Sequence, residues 1–407
     1  MTLAQNHQPQ LSGNKYWILV FMVLVLSACS PKIRTESKKP EVPKEAPKTT
    51  KPAVRFEQAS ISLLVPFRLN EIKLKSATKA EVEKAALAID FYQGFKLGID
   101  SAAASGQNFK LKVYDTRDDN TQIGTLIDNG GLLGSSLIVG PVFPDGLKYI
   151  TNYSISRNIP VVNPLSAAHP GEFANPNLIS IVNNVDQHAE KIGSYISKNY
   201  NPATTVVVLI NPKGSSDEVM AKPLRAYFMQ HNKFNFQEYA SVFTMEPKII
   251  KDRQYVVIVS ASDRKFVVPT LDKLMKIKKT GLNISLFGHP DWVKQNYNTE
   301  QLQTLNTVVT SSYKIDYTRS EVNAFIRKYR SSFNFEPGEY AFKGFDIGFY
   351  FGKLLSIYGA DYLNYLSKER YKGLHNSFRF IHDDKLGYIN TSLMLLKYKN
   401  FALNIVE

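Results

Sequence analysis

Ile61-Ser62-Leu63-Leu64-Val65-Pro66, then Glu81 to Ser105, then Phe109-Lys110-Leu111-Lys112-Val113: the reading of this stretch decides the fold class. The first segment is short and apolar and reads as a strand. The second places Ala85, Ile89, Tyr92, Phe95, Ile99 and Ala102 at steps of three or four, which predicts an amphipathic helix. The third alternates apolar and basic residues, so it reads as a strand with one solvated face. Strand, helix, strand is the repeating unit of an α/β domain with a parallel sheet.

The pattern continues outward. Ser136-Leu137-Ile138-Val139-Gly140 and Ile159-Pro160-Val161-Val162 add strands, with a helix around Leu147 to Arg157 between them. A second series starts with a helix at Gln187 to Lys198 and the strand Thr205 to Ile210, apolar almost throughout, as a buried central strand is. Strands at Tyr255 to Val259, Ile284 to Phe287 and Thr307 to Thr310 follow, with helices Asp217 to Gln230 and Lys265 to Lys278 between them. Helices Ser320 to Arg330 and Tyr340 to Tyr358 precede four terminal strands, Phe378 to Ile381, Leu386 to Ile389, Ser392 to Tyr398 and Phe401 to Ile405. So long a run exceeds the comfortable size of one core, which predicts two lobes. We expect lobe 1 at about 56–183 and 335–375, and lobe 2 at about 184–334 and 376–407.

The amino-terminal region has another character. Lys15, the apolar run Tyr16 to Leu26 and the small residues before Cys29 match a secretory signal peptide over 1–28, too short for a stable membrane span. Leu26-Ser27-Ala28-Cys29 resembles the lipobox of bacterial lipoproteins, which implies that Cys29 is lipidated, becomes the first mature residue and anchors the chain to a membrane. Ser30, not aspartate, follows the cysteine and points to the outer membrane, facing the periplasm, in a Gram-negative host. Cys29 is the only cysteine, so the folded part contains no disulfide. Residues 29–55 read as a tether: five prolines, eight Lys or Arg against three Glu, and almost nothing to bury. The formal charge of the whole chain is +14, a generally basic surface open to an anionic partner. An exported chain without zinc-finger spacing or an aromatic RNA-binding signature excludes nucleic acid as its partner.

Gly94-Phe95-Lys96-Leu97-Gly98-Ile99-Asp100, Val113-Tyr114-Asp115 with Asp118-Asp119, Ile138-Val139-Gly140-Pro141-Val142 and Asn158 to Pro164 resemble the first lobe of type 1 periplasmic binding proteins, in the leucine/isoleucine/valine-binding branch. Tyr340-Ala341-Phe342-Lys343-Gly344-Phe345-Asp346 is similar to the returning helix of that family. Phe378-Arg379-Phe380, Leu386-Gly387 and Tyr398-Lys399-Asn400-Phe401 resemble its closing strands. The resemblance implies two Rossmann-like lobes with parallel sheets joined by a hinge, which close on a ligand.

In open α/β sheets ligands sit beyond the carboxyl ends of the strands. That rule selects Phe67, Arg68, Phe143, Asp145, Ser166 and Ala167 in lobe 1, and Ser215, Ser262, His289, Asp291 and Trp292 in lobe 2. Relatives that bind amino acids offer a serine or threonine after the Gly-Pro segment, where this chain has Phe143-Pro144-Asp145. Their next loop carries a threonine, where this chain has Ser166-Ala167-Ala168. The resemblance then implies that a zwitterion would put its carboxylate on Ser166 and the Ala167 amide and its ammonium on Asp291, with His289 as the other candidate. The null account of these polar residues is helix capping. Asp115, Asp118 and Asp119 lack the glycine and closing glutamate of a calcium loop, and no histidine pair has zinc-binding spacing, so neither metal nor cofactor is expected. No nucleophile elbow, phosphate-binding loop or dinucleotide fingerprint occurs, which argues against an enzyme.

The expectation is a lipid-anchored solute-binding protein of the cell envelope. It would capture a small polar, amino-acid-like ligand for a transporter such as an ABC permease, or for a sensor. The alternative is a ligand-free interaction module of the envelope that regulates a cell-wall synthesis protein.

Overall fold

The computed structural model describes residues 57–406, apart from 74 and 105. The signal peptide, Cys29 and the tether lie outside the described residues.

Two mixed, mostly parallel sheets organise the chain, each flanked by helices. The first holds β1 (Ala59–Val65), β2 (Phe109–Asp115), β3 (Leu137–Val139), β4 (Val161–Asn163) and β5 (Leu178–Ser180). The second holds β6 (Thr205–Ile210), β7 (Asn235–Tyr239), β8 (Gln254–Val259), β9 (Asn283–Gly288) and β10 (Val308–Ser311). Their strand orders correspond: β2-β1-β3-β4-β5 in one and β7-β6-β8-β9-β10 in the other, all parallel. In each sheet the order reverses beside the first strand, which creates a crevice at the carboxyl ends. The central strands are the apolar ones: Val207, Val208, Leu209 and Ile210 are fully buried, as are Leu63, Leu64 and Val65.

The remaining strands are β11 (Arg370–Lys372), β12 (Ser377–Asp383), β13 (Gly387–Asn390), β14 (Met394–Lys399) and β15 (Ala402–Ile405). Here the structure corrects the expected lobe boundaries. Strands β12 and β13, placed by sequence in lobe 2, extend the first sheet, because β13 pairs with β5 in parallel through Tyr388↔Ile179 and Ile389↔Ser180. Phe378 and Phe380 of β12 are buried against Tyr350 of the lobe 1 core. Only β14 and β15 join the second sheet. The helix Ser320–Phe333 also changes sides, since Val322, Phe325 and Tyr329 pack on Leu97, Ala341 and Phe342 of lobe 1.

The long helices are α1 (Lys79–Ala103), α2 (Asn120–Asp128), α3 (Pro144–Arg157), α4 (Val185–Asn199), α5 (Ser215–His231), α6 (Arg264–Lys279), α7 (Ser320–Phe333) and α8 (Glu339–Tyr358). Helices α1 and α8 run parallel at very short distance. A Cβ on Gly94 would stand 1.9 Å from the Ala341 carbonyl oxygen, and one on Gly344 would stand 2.1 Å from that of Phe91. Only glycine permits this approach, and it fixes the start of α8 against lobe 1.

The chain crosses between lobes three times, after β5, after β10 and after β13. Asn390 ties the first and third of these crossings. Its carbonyl accepts from Asn183 Nδ2 and Gln187 Nε2, both at 2.8 Å, and its side-chain amide donates to the carbonyls of Ile181 (2.9 Å) and Ser377 (3.1 Å). Its Oδ1 accepts from the amides of Arg379 and Ser392. At 1% exposure the residue has no water to turn to, so these bonds satisfy it from within.

Candidate functional site

Loops at the carboxyl ends of both sheets form two crests, and the lobe 1 crest is largely self-satisfied. Asp115 closes β2 and holds the turn after β1. Its Oδ1 accepts from the amides of Arg68 (3.0 Å) and Arg117 (2.9 Å), and its Oδ2 from Leu69 (2.9 Å). Arg68 stands in the left-handed region at φ 54° and sends its guanidinium to Asp118 at 3.0 Å. Phe67 packs edge-on against Tyr92 at 5.9 Å. Phe143 precedes α3 and Asp145 lies in its first turn, where the helix dipole favours a carboxylate. Both line a cavity of about 380 Å³ with Thr116, Asp118, Asp119 and Asn120. Asp119 caps α2 by accepting from the Thr121 amide, the role expected of a bland loop acid.

Ser166 is buried, and its turn uses most of its polar groups. Its amide donates to Asn163 Oδ1, its carbonyl accepts from Asn163 Nδ2, and its Oγ accepts from the Ala168 amide at 3.1 Å. Ala167 is exposed at the tip of that turn.

The lobe 2 crest holds its side chains differently. Ser215 opens α5 and is exposed, while the Ser262 carbonyl accepts from the Tyr297 hydroxyl at 3.0 Å. Trp292 is a correction to the sequence reading: it is completely buried, donates Nε1–H to the Ala261 carbonyl at 2.9 Å and packs on Tyr297, so it belongs to the core and faces no ligand. His289 and Asp291 do come together. The Asp291 amide donates to His289 Nδ1 at 3.1 Å, which leaves that nitrogen the acceptor, and Asp291 Oδ2 lies 3.6 Å away. Burial pushes the His289 imidazole below its usual range, against the pull of Asp291 and Asp217. Behind it His188, bonded to Thr310 Oγ1 at 2.7 Å, is pushed down by burial to about 3 and stays neutral.

Between the crests lies a group that the sequence reading missed. Tyr313, in the crossing after β10, stacks on His375 at 4.4 Å and 9°. Lys343 of α8 places Nζ 4.7 Å from the Tyr313 ring and 2.9 Å from Glu339 Oε1. Lys294, at the end of the turn Pro290–Lys294 in lobe 2, comes within 5.4 Å of the same ring. Burial would raise the Glu339 carboxyl, yet the ammonium groups of Lys343 and Lys294 hold it below the usual carboxylate range. Burial lowers Lys343 in spite of Glu339, and burial with Lys343 nearby pushes His375 to about 3. These residues span 294 to 375 in sequence and share no motif; only the carboxyl-end rule, extended to the crossing after β10, could have pointed to Tyr313. Among the described residues no group of three His, Cys, Asp or Glu could hold a metal ion, and no helix is long and apolar enough to cross a membrane.

No family model and no curated protein sequence matches the chain. Solved structures do. A Rhodospirillum rubrum protein described as a branched-chain amino acid ABC transporter is 14% identical with a TM-score of 0.63, over 86% of this chain and 100% of that one. An ABC transporter substrate-binding protein from Desulfitobacterium hafniense, in complex with Leu, is 13% identical with a TM-score of 0.54, over 86% and 100%. Full-length LpoA from Haemophilus influenzae is 15% identical with a TM-score of 0.56, over 87% of this chain and 60% of that one. These likenesses establish a shared two-lobed fold.

Proposed function

We propose that this chain, which has the fold of type 1 periplasmic binding proteins, is a lipid-anchored extracytoplasmic solute-binding protein. It captures a small polar, amino-acid-like ligand between its lobes for a transporter or sensor. The observation that carries the reading is convergence: two corresponding crests flank a crossing where polar groups from both lobes meet at Tyr313. A ligand touched by both lobes favours the closed arrangement by its differential affinity. The fold by itself does not decide function.

A thermal-shift screen of amino acids and small peptides tests it. A ligand at 100 times its Kd should stabilise the protein by about 2.7 kcal/mol. A flat screen would favour the second reading, an interaction module regulating cell-wall synthesis. The observation behind that reading is the self-satisfied lobe 1 crest, where Ser166 and Arg68 already have partners, together with the fold shared with LpoA. The anchor has its own test. Cys29→Ala should abolish incorporation of a clickable fatty acid, and undiminished label on the variant would remove the lipid assignment.

A further inference from the structure

Two ammonium groups from different lobes converge on one tyrosine ring, an arrangement that ordinary packing does not require. We propose that Lys294 and Lys343 form an anion clamp on the ring of Tyr313, and that the molecule taken into the cleft presents a carboxylate or a comparable anion to it. The inference rests on the solute-binding reading and names the chemistry of its ligand.

The ring is fixed first. His375 covers one face of Tyr313 in a nearly parallel stack, and the backbone of Tyr313 is bridged to Asn376. Asn376 is itself held, since its amide donates to the buried Asp346 carboxylate at 2.8 Å. A ring so placed offers a negative π-surface to cations, and its hydroxyl also accepts from the Lys294 ammonium. Lys343 approaches from lobe 1 and also lies 5.4 Å from the Tyr340 ring. Lys294 approaches from lobe 2.

The charges around the ring do not balance locally. Lys343 has Glu339 as a direct partner, but Lys294 forms no ion pair within 4.0 Å among the described residues. Asp291 also faces this region, yet its side chain is 62% exposed, so water screens its charge. His375 adds no charge, and its buried Nε2, 3.8 Å from Glu339 Oε1, has no hydrogen-bond partner among the described residues. Two ammonium groups therefore share one close carboxylate. An entering anion supplies the missing negative charge and touches both lobes at once, which couples its binding to closure. The clamp needs neither Ser166 nor the Ala167 amide, the donors that lobe 1 has mostly used internally.

The experiment is calorimetry with thermal melting on the full chain. The probes are sodium succinate, sodium benzoate and sodium phosphate against sodium chloride at equal ionic strength, with leucine as the zwitterionic control. At least one of the anions should bind saturably and raise Tm, and comparison of the carboxylates with phosphate tells which anion class the clamp prefers. Lys294→Gln, an exposed change that leaves the fold intact by circular dichroism, should weaken that binding by at least about tenfold. Lys343→Gln should act likewise, but Lys294→Gln decides the matter. An anion affinity that stays within about twofold in Lys294→Gln overturns the clamp. If leucine binds with an affinity that Lys294→Gln leaves within about twofold, the solute-binding reading stands and the clamp falls. If no probe gives more than sodium chloride does, both fall.

Discussion

The two lobes use their sheltered carboxylates in opposite ways. In lobe 1, Glu339 with its Lys343 apart, they hold backbone. Asp346, fully buried, accepts from the amides of Leu374, His375 and Asn376, each at 2.8 Å, and from the Tyr371 hydroxyl. Asp90 accepts from the amides of Gly338 and Ala341 and from the Tyr329 hydroxyl, and Asp115 gathers three amides behind β1. In lobe 2 carboxylates hold side chains. Glu238 takes Arg225 in a two-pronged pair at 2.7 and 2.8 Å, with Lys213 and Asn211 alongside, and Glu246 takes Lys273. The difference teaches which lobe sets geometry. Backbone gripped by a buried acid has one arrangement, whereas paired side chains can re-pair, so lobe 1 is the frame and lobe 2 carries the more adaptable groups.

The largest test of this contrast is Asp346→Ala. It strips the acceptor from four buried donors, and the expected loss is about 3–5 kcal/mol in urea unfolding. A loss below about 1 kcal/mol would mean that the 374–376 loop is held by packing instead.

Titration sharpens it. Burial pushes Asp346 up to about 6, so its contribution is complete below its unfolded pKa and is lost as pH rises through 6. His188 and His375, pushed down to about 3, behave in the opposite sense, and their stabilisation is lost as pH falls below 6.5. Between pH 6 and 4 the unfolded state binds two protons at the histidines while the native state binds one at Asp346. These groups alone give a net slope of one proton, stability falling with acid. Removing the Asp346 titration should steepen the fall to that of two protons. Unfolding of wild type and Asp346→Ala across this window checks the difference, and identical slopes would refute the assignment.

In lobe 2 Glu238→Gln leaves Arg225 with Glu218, so the cost should be only about 1 kcal/mol. A loss as large as that of Asp346→Ala would break the comparison. The smallest effect belongs to Asp291→Ala, an exposed change expected to move stability by no more than about 0.5 kcal/mol while weakening any ligand that carries an ammonium. Melting and calorimetry on one preparation separate the two effects.

The same contrast explains what could be read from sequence. Apolar runs such as Thr205 to Ile210 announce central strands, because only a strand buried on both faces needs them. Strand β7, Asn-Phe-Gln-Glu-Tyr at a sheet edge, is half-buried and carries no such mark. The short β5 and β11 were equally silent. The alternation in β12 and β13 showed strands but not their sheet, since the partner β5 lies some 200 residues earlier. For the site, the crest rule picks out loops that stand at the carboxyl ends of both sheets. It could not tell a side chain offered outward from one spent inward, which is why Trp292 was misread and Ser166 overvalued. Lys294, Tyr313, Glu339, Lys343 and His375 meet only through tertiary structure.

Asn390 carries a consequence for how the molecule comes into being. A chain made from its amino end presents β1 to β5 long before residue 390 exists, so β5 must wait with one edge unpaired while the whole second lobe is made. An uncovered strand edge is a template for wrong partners. The contacts that close it span more than 200 residues and are among the slowest kind to form. The residue that joins the first and third crossings thus also marks the moment when the first lobe stops being vulnerable.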